Sequence, residues 1–389
     1  MEIGSSNVVT RWIWLDYQTK GVQPPRVLNP LHLAEFVFLA PFPTAFLIVV
    51  DVPQMAKIHL TRCQYLIPFA AILSSVGAPI GSLLAKFGLP TSLEEKANHY
   101  VPILPAIEFA EFAQRSQGIV DFGFHASRLI HFHHLSEKTR ALIAHSPTLL
   151  VALQQACKWA SLEDSNLTNW LERHDDHVRI CSRLAGTKGL QHLEHSQWLQ
   201  NIIPIHIVRQ FAGCDWAPAT IAFEARYTPS PACKLLWPNT RFVSGQEASW
   251  IDVPISFLAL PNCSSADLAG LDGKQVEHSE LGIVETLKLM LPSYLDQGPP
   301  GIAEIAEMAG VSVRSFQRVL SQASLTYSDL LDTVRFENAS KMLQETDVKI
   351  IEVAFSSGYA DPAHFTRAFR RISGFSPREF REKGSRQST

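Results

Sequence analysis

The chain's 389 residues are enough for two or three domains, and its 46% hydrophobic content is enough for sizeable cores. With 34 Lys and Arg against 37 Asp and Glu, a formal net charge of −3 excludes a polybasic nucleic-acid coat. Six cysteines (Cys63, Cys157, Cys181, Cys214, Cys233 and Cys263) form no CxxC pair, which fits neither a zinc site nor a disulfide framework and points to a reducing cytosol.

Residues 31–50 are strongly apolar but include His32, Glu35, Pro41 and Pro43. A membrane span needs about 20 mostly apolar residues, and two prolines so close break a helix. No basic segment directly precedes a small-residue cleavage site, so a signal peptide is not expected either. The preferred reading is a biological start at Met55, with residues 1–54 an extension. From there Tyr65-Leu66-Ile67-Pro68-Phe69-Ala70-Ala71-Ile72-Leu73 reads as a helix ended by Gly77-Ala78-Pro79, and residues 81–87 as a second stopped at Gly88-Leu89-Pro90. Residues 101–116 read as a longer helix with Pro102 and Pro105 in its first turn. Ser146-Pro147-Thr148-Leu149 supplies a cap and a proline at the first helical position of another. Residues 177–183 alternate as a half-buried strand, a helix follows at 196–211, and residues 219–227 and 249–260 look like strands. Helices first and mixed β later make an α+β domain over 55–263. Residues 264–280, polar and glycine-containing, read as a linker, and residues 281–295 as an amphipathic helix opening the next domain.

Histidines cluster at His131, His133 and His134, with HxxH spacings at His174/His177 and His192/His195. No cysteine or carboxylate stands at a characteristic ligand spacing, and Ile130-His131-Phe132-His133 alternates like a strand, so neither a metal nor a cofactor is expected. Trp159, Trp170, Trp198, Trp216, Trp237 and Trp250 read as core filling, and no ligand-binding residue is assigned. Nothing matches a phosphate-binding glycine loop, a GxSxG elbow or HExxH.

The carboxyl-terminal quarter carries two helix-turn-helix patterns in tandem, at about 302–322 and 350–372. Ala306 and Ala354 let a second helix cross close to the first, and Gly310 and Gly358 allow the positive φ of the turn. Ser312 and Asp361 stand at the caps of the following helices, with Pro362 at a first helical position. Phe316, Val319 and Leu320 recur at helical spacing and should face inward, leaving Arg314, Ser315, Gln317, Arg318 and Ser321 outward. In the second unit Phe365 and Phe369 face inward, leaving Ala363, His364, Thr366, Arg367 and Arg370. Arginine suits guanine, glutamine suits adenine and small apolar groups suit the thymine methyl, while some of these side chains would hold phosphates instead. From Pro299 onward 12 basic residues face 11 acidic ones, and from Ala363 seven face two, a local stripe that fits site-specific, salt-sensitive binding.

Residues 299–383 resemble the DNA-binding domain of the AraC/XylS family of bacterial transcription regulators. The matching residues are Ser312, Phe316-Gln317-Arg318, Arg335, Ala339 and Leu343, Val353-Ala354, Gly358-Tyr359, His364-Phe365-Thr366-Arg367-Ala368-Phe369-Arg370 and Gly374-Phe375-Ser376-Pro377-Arg378-Glu379-Phe380-Arg381. The resemblance implies an α-helical domain whose two units, joined by a long helix at about 328–344, enter successive major grooves. Pro362-Ala363 departs from the polar residues of many members, so base contacts at that helix start should be sparse. The α+β region resembles, more loosely, the arabinose-binding-type sensor domain of one branch, through Ser146-Pro147-Thr148-Leu149, Ala152-Leu153, Trp216-Ala217-Pro218 and Ile221-Ala222-Phe223. Leu235-Leu236-Trp237-Pro238 stands where a core strand is expected. What this implies is a cytosolic one-component regulator, more often an activator than a repressor. Its partners would be double-stranded promoter DNA, RNA polymerase and an unidentified small-molecule effector, with a homodimer left open. The alternatives are a membrane-tethered regulator and an enzyme domain fused to a DNA-targeting tail.

Overall fold

The computed structural model describes residues 57–187, 189–190, 192–262 and 282–387. The expected extension, the Met55 start and the linker at 264–280 lie outside them.

Strand β1 (Leu60–Arg62) pairs antiparallel with β2 (Tyr100–Pro102). Between them run helices α1 (Ile67–Ser75) and α2 (Ile80–Lys86). Helix α3 (Ile103–Gln117) follows β2 at once and ends at Gly118. It starts two residues later than expected because Val101 and Pro102 are held in the β1 pairing. Helices α4 (Phe122–Ser127), α5 (Glu137–Ala144) and α6 (Leu149–Trp159) come next. The strand-like alternation at 130–133 is instead a 3-10 turn at Phe132–His134, closed by the His134 amide on the His131 carbonyl at 3.0 Å. The cap of α6 is Thr148 rather than Ser146. Thr148 bridges Pro261 and the Pro147 carbonyl accepts from the Asn262 amide, so residues 147–148 are held outside the helix.

A five-stranded sheet comprises β3 (Leu167–Arg173), β4 (His177–Leu184), β5 (Thr220–Ala222), β6 (Arg241–Val243) and β7 (Ser249–Pro254), in the order β3-β4-β7-β5-β6. Only β5 and β6 are parallel. The two later strands are shorter than expected: β5 has three residues, and β7 gives way to a 3-10 turn at Ile255–Phe257. Helix α7 (Glu194–Ala212) lays Trp198, Ile205 and Val208 on Ile221, Ile251 and Val253 of the sheet, closing the core with Leu149 and Leu153 of α6. The segment read as an irregular core strand ends helix α8 (Pro231–Leu236), where Ser230 is the cap, Leu235 is exposed and Trp237 is buried.

The carboxyl-terminal part is all helix. Helix α9 (Ile283–Met290) leads into a 3-10 turn at Leu291–Tyr294, shorter than the helix expected over 281–295. Pro292 has no amide hydrogen with which to continue it. There follow α10 (Ile302–Met308), α11 (Val313–Gln322), α12 (Tyr327–Glu345), α13 (Ile350–Ser356), α14 (Pro362–Ser373) and α15 (Pro377–Gln387). Ala339 and Leu343 of the long α12 pack with Val353, Ala354, Phe365 and Phe369. No helix among the described residues is long and apolar enough to cross a membrane.

Candidate functional site

Two short helices, α11 and α14, are built alike. Gly310 and Gly358 turn the chain ahead of them at φ 66° and 79°. Ser312 Oγ accepts from the Ser315 amide at 3.2 Å, and Asp361 accepts from the amides of Ala363 and His364 at 3.0 and 3.1 Å. Those amide bonds, aided by Arg367 and His364 nearby, hold the Asp361 carboxyl below the usual range, so the cap is charged at neutral pH. On α11 Phe316 and Leu320 are buried and Val319 half-buried, while Arg314, Gln317, Arg318 and Ser321 are exposed. Ser315 is half-buried, its Oγ accepting from Ser312. On α14 Phe365, Ala368 and Phe369 are buried, Thr366 is half-buried, and Ala363, His364, Arg367 and Arg370 are exposed. Ser321 and Thr366 donate their hydroxyls to the Gln317 and Pro362 carbonyls, at 2.8 and 2.9 Å, so outward they offer lone pairs only. Arg371 is bound to Asp332 at 3.1 Å. Arg314, Arg318, Arg367 and Arg370 have no ion-pair partner among the described residues, as suits side chains awaiting an anionic surface.

A second feature was not foreseen from the sequence. Helices α1, α3, α5, α6 and α7, with residues of β1, β3 and β4, line a partly open cavity of about 80 Å³ with walls that include Phe69, Ile107, Leu153, Ile203 and Ile207. At one side Glu163 is bound to Arg62 at 2.9 Å and accepts from the Tyr65 hydroxyl at 2.8 Å and the Ser136 amide at 3.0 Å. The next residue, Asp164, also lines the cavity, and its Oδ1 is sealed from solvent without a partner; so are Asn169 Oδ1 and both ring nitrogens of His195. Burial pushes the Asp164 carboxyl up to about 7, against the Thr61 hydroxyl bond and Arg62 and with the help of Glu163. Burial, with His192 nearby, lowers His195 to about 4, so its ring is neutral at pH 7. The ring lies edge-on to Phe69 and Phe122, and Gly123 of α4 abuts its backbone: a Cβ at Gly123 would stand 2.5 Å from His195 Cα. These polar residues lie on separate elements, and no spacing along the chain pointed to the pocket they share. Among the described residues no group of three or more His, Cys, Asp and Glu is placed to hold a metal ion.

The two parts of the chain meet in a clasp. Buried Lys96, in the loop before β2, donates to the Ser293 carbonyl at 2.7 Å and pairs with Asp296. Ser293 Oγ donates to the Tyr100 carbonyl at 2.6 Å, and the Gln297 side chain joins the Thr91 amide and Ser92 Oγ at 3.0 and 2.9 Å. The same loop reaches the cavity wall, since Arg62 Nη2 donates to Asn98 Oδ1 at 2.6 Å while Nη1 holds Glu163.

Comparison with known proteins gives a match for each of the two parts of the chain. Residues 305–383 match the model of a helix-turn-helix domain, and residues 77–261 that of the arabinose-binding domain of AraC transcription regulator, N-terminal. The HTH-type transcriptional activator RhaS of Escherichia fergusonii is 39% identical over 79 residues, 20% of this chain and 28% of that protein. The ornithine utilization regulator of Pseudomonas aeruginosa is 32% identical over 143 residues, 34% of this chain and 41% of that one. The chain thus spans less than half the length of these curated relatives. The crystal structure of transcriptional regulator CdpR from Pseudomonas aeruginosa overlays at 16% identity, with 82% of this chain and 98% of that one covered and a TM-score of 0.38.

Proposed function

Since the chain belongs to the AraC-type transcription regulators that carry an arabinose-binding-type amino-terminal domain, we propose that it binds specific promoter sites through α11 and α14 under the control of a small molecule held by residues 55–263. The observation that carries this reading is the paired construction of the two helices. Each is capped, buries an apolar stripe that includes phenylalanine and exposes arginines without an ion-pair partner among the described residues. Arg314, Gln317, Arg318, His364, Arg367 and Arg370 are the groups with free polar atoms for bases and phosphates, and Ser315, Ser321, Ala363 and Thr366 shape the same surfaces. Residues 281–389 form the DNA-binding domain in this reading, with 264–280 the link between the two. Transcription activation through RNA polymerase, action in the cytoplasm and assembly into a homodimer belong to the same proposal. An enzymatic front domain and a membrane tether find no support in the matched families.

The test is genome-wide mapping of bound DNA by the intact protein and by an Arg318→Ala/Arg367→Ala double variant. Sharp peaks upstream of a few operons, lost in the variant, are the expected result. Peaks that persist in the variant, or an intact protein with uniform occupancy, would overturn it.

A further inference from the structure

We propose that the cavity between α1, α3, α6 and α7 binds a short apolar primary amine, its ammonium group seated on Asp164 and Asn169 and its hydrocarbon body on Phe69, Ile107, Leu153, Ile203 and Ile207. The proposal deepens the reading of residues 55–263 as an effector domain and rests on it for its regulatory meaning.

The argument is one of donors and acceptors. Asp164 Oδ1 and Asn169 Oδ1 are buried acceptors without a donor, and His195 has a neutral ring with neither nitrogen bonded. Buried polar atoms are normally satisfied, so these two orphan oxygens call for a ligand that supplies hydrogens, and the neutral His195 ring, with one N–H and one lone-pair nitrogen, can accept one more at the latter. An alkylammonium group brings three donors and no acceptor, whereas an alcohol brings one donor and a carboxylate none.

Charge points the same way. No lysine or arginine lines the cavity among the described residues, and Arg62, which acts on Asp164 from beside it, is committed to Glu163, the His134 carbonyl and Asn98. An anionic head would face Asp164 with no free cation to balance it, while a cationic one completes a pair in a low-dielectric site. Size sets the body. A cavity of about 150 Å³ holds benzene, so about 80 Å³ takes a chain on the order of three to five carbons.

The experiment uses the full chain at pH 8, where the Asp164 carboxyl and an alkylammonium are both charged, with n-butylamine, n-butanol and butyrate as matched probes. Calorimetry and thermal melting should show saturable 1:1 binding and stabilisation by butylamine, at least tenfold weaker binding of butanol, and none of butyrate. Asp164→Asn should weaken butylamine at least tenfold. Ile203→Phe, which fills the space and leaves the carboxylate alone, should abolish binding. Butanol or butyrate bound as tightly as the amine, no binding of butylamine, or an Asp164→Asn protein that melts cooperatively and keeps full amine affinity would each overturn the proposal. Affinity for a mapped promoter fragment, measured with and without butylamine, separates the two levels. Saturable amine binding with unchanged DNA affinity overturns the regulatory reading and leaves the amine site standing. DNA binding that responds to another ligand while butylamine is ignored overturns the amine site alone.

Discussion

Gly310 and Gly358 hold the same place in the two turns, yet they answer to different constraints. A Cβ at Gly310 would meet nothing within 4 Å, whereas one at Gly358 would stand 2.7 Å from the Leu295 carbonyl oxygen and 3.4 Å from Arg335 Nε. Gly310→Ala should therefore cost only the left-handed backbone, about 1–2 kcal/mol, and Gly358→Ala distinctly more in the same urea titration. Equal losses would mean that Leu295 yields. Asp164 adds a dependence on pH. Its carboxyl rises from an ordinary 3.8 to about 7 on folding. The folded state thus binds the proton more tightly, and the contribution is fully present below pH 4 and lost as pH rises through 7. Thr61, Glu163 and Arg62 are the groups that oppose or assist that shift. Asp164→Asn should flatten the profile, removing a decline of about 2–4 kcal/mol between pH 4 and 7. The turn glycines and helix caps were legible in the sequence because each is a local solution to a local problem. Asp164, Asn169 and His195 were not, since no spacing along the chain relates a residue before β3, one in it and one in α7.

At the scale of elements, α11 and α14 separate stability from recognition on opposite faces. Phe316→Ala and Phe369→Ala should each lower unfolding stability by about 3–5 kcal/mol through the cavities they leave, and unchanged melting would mean that these faces are not where the core lies. Arg318→Ala and Arg367→Ala should weaken specific DNA by about 1–3 kcal/mol. Equal losses on random DNA would assign the two side chains to phosphates. The amphipathic helices were readable because one stripe decides them. The sheet was less so. β3 is half-buried along most of its length without clean alternation, and the three residues of β5 are strand only through pairing with β6 and β7. The histidine cluster failed for a similar reason: a period of two over four residues cannot be told from a turn closed by its own hydrogen bonds.

Across the whole molecule, the clasp joins the cavity wall to the helices that follow. Arg62 holds Glu163 and Asn98, Lys96 of the same loop holds Ser293 and Asp296, and the Leu295 carbonyl sits against Gly358 in the second helix-turn-helix. Lys96→Met should lower stability by about 1–3 kcal/mol, discounted because Asp296 is partly exposed. The same change should abolish any effect of a cavity ligand on DNA affinity. Intact coupling in a folded Lys96→Met protein would remove the clasp from the account. None of this contact was visible in the sequence, because Lys96 and Asp296 are 200 positions apart.

The clasp also bears on how such a protein could be taken apart and recombined. A chimaera spliced within residues 264–281 would carry Ser293, Asp296 and Gln297 away with the DNA-reading half. Lys96, Ser92 and the Tyr100 carbonyl would then face a foreign surface. Such a graft inherits an orphaned ammonium before it inherits any control, so the transferable unit is the pair of matched faces, and exchange between relatives must move both or rebuild one.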